Sequence, residues 1–168
     1  MIGHDGVFGA SQALGAAVSL NRVSAQVPGE ASTIPIPKLR ELVNEMEPFR
    51  KLLISYEQFY FAMAQQTAAC NAVHEVKQRL CKWLLRMNGL TDSDLPLTQE
   101  FLAYMMGVRR STVSDAAQEL QKAGVIEYKR GNIHVVDRAN LEHWACECDS
   151  EIARHHRRIF DPAPSDEL

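Results

Sequence analysis

The chain has 168 residues, of which 46% are hydrophobic and 23% charged. These are ordinary values for a globular chain of one domain or two small ones, and they exclude a disordered, collagen-like or coiled-rod protein. Eighteen basic against 21 acidic residues leave a formal net charge of −3, which excludes a bulk polycation that coats nucleic acid but leaves room for a local basic patch. The four cysteines, Cys70, Cys81, Cys146 and Cys148, are too few for a disulfide framework. The opening residues, with His4 and Asp5, lack the basic region of a signal peptide. No apolar run approaches the ~18 residues that span a bilayer. A cytoplasmic chain with reduced thiols and no membrane partner is expected.

Residues 1–36 are poor in charge and hold five of the nine glycines. Short apolar stretches, Val23 to Val27 and Ile34 to Ile36, flank a Pro28-Gly29 turn. They read as short strands that need another sheet, a helix or a partner chain to cover them. From Phe49 to Asn88 there is neither glycine nor proline, and Pro48 suits the first turn of a helix. Phe49, Tyr56, Met63 and Cys70 recur every seven residues, with Leu52, Leu53, Phe59, Tyr60 and Thr67 beside them. That is an apolar seam on a helix about 35 Å long. It serves either as a buried core helix or as a dimerisation helix, and its aromatic density points to the second.

Near Asn71, a plausible cap, the phase changes. Val76, Leu80, Trp83, Leu84 and Met87 then form a second amphipathic helix closed by Gly89. Thr98 caps a helix over Gln99 to Met106, and Gly107 ends it. Another helix opens at Arg110 and runs to Ala123, followed by Gly124. Ile126 to Lys129 and Ile133 to Val136 read as strands around an Arg130-Gly131-Asn132 turn, and Arg138 to Phe160 as one helix. The last residues, with two prolines and three acids, read as a disordered tail.

Two short helices across a tight turn, followed by a hairpin, make a winged helix-turn-helix. Phe101, Leu102, Met105, Val108, Val113, Ala117 and Leu120 fall at helical spacing and can lock the pair. The second helix opens on Arg109, Arg110, Ser111, Thr112 and Ser114, residue types that bond phosphates and base edges from a helix N-terminus. Thr98 and Gln99 open the first helix toward phosphate, and Lys129 and Arg130 stand at the hairpin tip. These nine residues are the expected contacts to double-stranded DNA.

The segment Leu97-Thr98-Gln99-Glu100-Phe101-Leu102-Ala103 with Gly107-Val108-Arg109-Arg110, and Leu120 to Ile126 followed by Arg130-Gly131 and Ile133, resembles the C-terminal half of the Crp/Fnr superfamily of bacterial transcription regulators. Cys70-Asn71, His74, Arg79-Leu80 and Trp83-Leu84-Leu85, with Ala145-Cys146-Glu147-Cys148, resemble one subgroup of it. The resemblance implies an α+β, mainly α fold. Its parts would be a partial, cyclic-nucleotide-binding-like β-roll over 1–36, a short helix and a long dimerisation helix over 37–74, a winged helix-turn-helix over 75–160, and a tail over 161–168. It also implies a homodimer through Phe49, Leu52, Leu53, Tyr56, Phe59, Tyr60 and Met63, with duplex DNA and RNA polymerase as partners. The first half of the roll is not in this sequence, either because the start lies upstream or because the regulator is truncated, and the effector domain is expected to be incomplete. Gly3 is followed by His4 and Asp5, and Ser19 stands where cyclic-nucleotide binders place a phosphate-clamping arginine; no cofactor is expected. Ser111 replaces the usual glutamate and Asp115 stands where a second arginine is common, so the operator should differ from that of the best-known members. The rival reading is a winged-helix interaction or dimerisation module that does not read DNA.

Cys146 and Cys148 with His143, completed by His155 and His156, offer a metal set. On one continuous helix, however, the two thiols would point about 200° apart, which favours plain helix packing, and no metal is expected. Cys70 on the seam reads as a small core residue or as an intersubunit disulfide partner. No G-x-S-x-G, P-loop or H-E-x-x-H occurs, and His74-Glu75 lacks a nucleophile. No catalytic residue is expected.

Overall fold

The computed structural model describes residues 3, 6–16, 18–91 and 94–161. His4, Asp5 and the expected tail beyond Asp161 lie outside them. The described residues form a mainly helical chain with one small two-stranded sheet. By its internal contacts the chain divides into two compact units, residues 1–64 with 154–168, and residues 65–153.

The first unit contains α1 (Ala10–Ala13), α2 (Ile36–Glu45), most of α3 (Glu47–Val73) and the end of α8 (Cys148–Phe160). Proline fixes both long helix starts: Pro37 lies in the first turn of α2 and Pro48 in that of α3, where Glu47 adds a negative charge at the positive end of the helix dipole. Ala10, Ala13, Leu39, Val43 and Leu53 make the core, with Val7, Leu14 and Phe49 packed on it. Phe59 is buried edge-on against His156 and Phe160, at centroid distances of 5.3 and 6.0 Å.

The β-roll strands expected before residue 36 are not formed among the described residues. Val18, Leu20, Val23 and Ile34 are exposed, and Ile36 enters α2. A strand persists only where its N–H and C=O groups find a neighbouring backbone, and none of the described residues of 18–34 does so.

In the second unit α3 runs past Asn71, which is an ordinary helical residue and not a cap. The break falls at His74 and Glu75. Glu75 caps α4 (Val76–Asn88) reciprocally: its backbone N–H donates to Gln78 Oε1 at 3.1 Å, while its carboxylate accepts from the Gln78 N–H. One face of α4 buries Leu80, Leu84 and Met87 completely. That face packs on α5 (Gln99–Met106), α6 (Arg110–Lys122) and α7 (Arg138–Trp144). β1 (Ile126–Lys129) pairs antiparallel with β2 (Asn132–Val135), Ile126 opposite Val135 and Lys129 opposite Asn132. Leu95 forms a bridge on the outer side of Ile133.

The helix expected from Arg138 to Phe160 is two helices. Ala145 takes an extended backbone (φ −72°, ψ 153°) that closes α7, and α8 opens at Cys148. The bend buries Cys146 and Cys148 together with Cys70, which a straight helix could not do. Among the described residues no helix is long and apolar enough to cross a membrane.

Candidate nucleic-acid interface

Helices α5 and α6 are set by local chemistry. The Thr98 hydroxyl accepts the Phe101 N–H at 3.1 Å and caps α5. Gly107 ends it in the left-handed region (φ 64°), where a side chain would cost stability. Val108 then bonds back to the Ala103 carbonyl at 3.1 Å, and Arg109 leads into α6 in an extended conformation. Leu102, Ala103 and Met106 of α5 are buried, as are Val113, Ala116, Ala117 and Leu120 of α6. Phe101, Met105 and Val108, expected in that lock, are half-buried at its edge. Arg79 of α4 is buried and donates to the Met106 carbonyl, meeting the negative end of the α5 dipole with a fixed positive charge.

This packing leaves the start of α6 outward. Arg109, Arg110 and Ser111 are exposed, and Thr112 and Ser114 are half-buried at the margin of the core face. The Arg109 side chain makes no capping hydrogen bond to the first N–H groups of α6. The hairpin turn brings the second basic group close. Arg130 (φ 51°) and Gly131 (φ 83°) are both left-handed, as a two-residue turn between twisted strands requires. A Cβ placed on Gly131 would lie 3.6 Å from the Thr98 methyl, so the hairpin tip abuts the start of α5.

An open groove results, lined by Thr98, Gln99, Glu100, Arg110, Tyr128, Arg130 and Gly131. Four of the nine expected contacts, far apart in the chain, thus face one space. The other five lie on the adjoining start of α6 or, for Lys129, on the hairpin. Tyr128, Glu100 and Gly131 were not anticipated. Tyr128 is no more than a member of the Ile126 to Lys129 strand in sequence, and only its pairing opposite Ile133 next to the turn reveals its place.

The basic groups differ in availability. Among the described residues no ion pair engages Arg109, Arg110 or Arg130. Lys129 is held by Glu127, Nζ to Oε2 2.7 Å. Their hydrogen bond raises the Lys129 pKa and lowers that of Glu127. Any phosphate must compete with that carboxylate for Lys129. Glu127→Gln is therefore expected to tighten binding to all duplexes by a similar factor, read by a fluorescence-anisotropy titration on unrelated sequences. Unchanged or weaker binding would mean that Lys129 stays away from the phosphates.

The seven residues expected at a dimer interface divide on α3. Leu53, Phe59 and Met63 are buried within the chain, Phe49, Tyr56 and Tyr60 are half-buried, and Leu52 remains 51% exposed. Ile54 and Phe61, on another face of the helix, are also exposed.

Residues 78–144, from α4 to the end of α7, match the Crp-like helix-turn-helix domain family. No curated protein matches the chain.

Proposed function

We propose that the chain is a sequence-specific DNA-binding transcription regulator of the Crp/Fnr type. The observation that carries this reading is the convergence of Arg110 at the start of α6 with Thr98, Gln99 and Arg130 around one open groove, inside a segment that matches the Crp-like helix-turn-helix family. In this reading α6 enters the major groove with its first turn at the base edges, and the hairpin is the wing. Arg110 reads a guanine through its planar fork, while Thr98, Gln99 and Arg130 hold the flanking phosphates. Ser111, Thr112 and Ser114 supply short hydroxyl contacts, and Arg109 stands beside them. RNA polymerase is the machinery such a regulator would address.

The test is selection of bound fragments from a random duplex pool, followed by titration of the selected duplex and a scrambled one at two salt concentrations. A reader of DNA prefers the selected duplex and loses affinity steeply with salt, because each neutralised phosphate releases counterions. Lys129→Ala should lower that slope by less than the one unit of a fully committed phosphate contact, since Glu127 already holds its ammonium. Binding without sequence preference or salt dependence would favour the interaction-module reading.

The proposed assembly is a homodimer through the exposed remainder of the α3 seam. Leu52 is half-exposed in the single chain, so Leu52→Glu should leave the monomer folded while placing a charge in the apolar contact. Sedimentation velocity at micromolar concentration should show a dimer for the parent chain and a monomer for the variant. A variant that sediments as the parent does would remove Leu52 from the interface.

A further inference from the structure

The cysteines that read as packing residues in sequence converge with a histidine. Cys70 on the last turn of α3, His74 just past its end, Cys146 in the bend after α7 and Cys148 at the start of α8 each direct one donor atom to a common centre. All four donor atoms lie within 4.8 Å of one another. Every one of these residues belongs to the 65–153 unit. The bend at Ala145 breaks the continuous helix on which the Cys146 and Cys148 thiols would point apart. His143, His155 and His156, the histidines considered in sequence, are not in the cluster, and His74 takes the place they were to fill.

We propose that Cys70, His74, Cys146 and Cys148 form a structural zinc site. Two of the donor separations match a mononuclear tetrahedral centre, and the whole set is compact enough to close on one ion. Zinc–sulfur bonds of about 2.3 Å and zinc–nitrogen bonds of about 2.0 Å imply donor separations of roughly 3.5 Å for sulfur to nitrogen and about 3.8 Å for sulfur to sulfur. The Cys70 and Cys146 sulfurs are 3.6 Å apart, and the Cys148 sulfur is 3.5 Å from His74 Nδ1. Three sulfurs and one imidazole are a soft set that selects zinc over hard cations. Four protein ligands leave no open position, which marks a structural site and not a catalytic one.

The surroundings complete the case. His74 presents Nδ1 to the centre and its other nitrogen, Nε2, lies 3.3 Å from a Glu147 carboxylate oxygen, the outer partner that fixes the orientation of a metal-bound histidine. Lys82, itself 94% buried, donates to the Cys70 sulfur at 3.1 Å, and Gln66 donates to the Cys148 sulfur at 3.2 Å. Three thiolates, a neutral imidazole and a divalent ion sum to one negative charge, which the Lys82 ammonium offsets. On metal entry the three thiols release three protons to solvent. Cys81, also buried but outside the cluster, serves as the internal control.

The site does not depend on the DNA reading. Full-length protein purified without chelator should carry a single zinc ion per chain by plasma mass spectrometry. Exchange with Co²⁺ should give the intense ligand-field bands of a tetrahedral centre and thiolate-to-cobalt charge transfer. Cys146→Ser and His74→Ala should lose the metal, while Cys81→Ala should keep it. Should the ligand variants fail to fold, the parent protein decides. Reduced, folded chain that takes up neither zinc nor Co²⁺ would overturn the proposal. So would stoichiometric iron in place of zinc, or a native, metal-free chain holding a Cys70–Cys146 disulfide.

Discussion

Arg110→Ala is expected to weaken binding to the selected operator by about 1–3 kcal/mol per half-site, and to relax preference at one base pair. The side chain is exposed on the first turn of α6, faces the groove bounded by Thr98 and Arg130 and makes no ion pair among the described residues. It can therefore enter DNA with both faces of its fork free. Arg110→Lys separates the two components of its action. Lysine restores the charge but not the bidentate pair with guanine O6 and N7, so it should recover affinity for scrambled duplex and little of the discrimination. If alanine weakens selected and scrambled duplexes equally, Arg110 touches only phosphate and the base-reading position lies elsewhere on α6.

Leu120→Ala should cost about 2–5 kcal/mol of folding stability. Leu120 is fully buried on α6, and its carbonyl accepts the Val125 N–H at 2.9 Å as the chain turns toward β1. A cavity there loosens the surface that carries Arg110 as well as the start of the hairpin. Against a typical domain stability of about 5–15 kcal/mol the loss is large. Urea denaturation should show a lower midpoint with an unchanged slope. Met106→Ala, at a buried position, should behave similarly, whereas Met105→Ala, half-buried, should be mild. Equal effects at 105 and 106 would show that α5 packs in a different register.

The parts of the fold that were legible in sequence are those determined within a few residues. Thr98, Gly107 and Gly124 mark helix ends because a cap hydroxyl and a left-handed glycine act on their immediate neighbours, and the helices lie where those residues put them. The Arg130-Gly131 turn is legible for the same reason. Strands before Ile36 were misread because apolar stretches there say nothing about whether a pairing partner exists. The single helix from Arg138 was misread because no glycine or proline marks the bend at Ala145; the chain turns there to bury two thiols. At the candidate interface, the basic residues were legible by type, but the Lys129–Glu127 pair and the place of Tyr128 depend on strand register. The cysteine cluster escaped notice because its halves are some seventy residues apart. One local signal did exist: Cys70 and His74 are four residues apart, and so share a helix face.

The bridge between Leu95 and Ile133 has a bearing on self-association. Leu95 and Ile133 exchange both backbone hydrogen bonds, each at 2.9 Å, so the outer edge of β2 is already occupied. The opposite edge belongs to β1, where Glu127 and Lys129 place charged side chains along a strand of only four residues. An unprotected strand edge is a template for sheet growth from one molecule to the next. Here one edge is sealed from within the chain and the other is short and charged. The hairpin can thus project into solvent without seeding aggregation between copies.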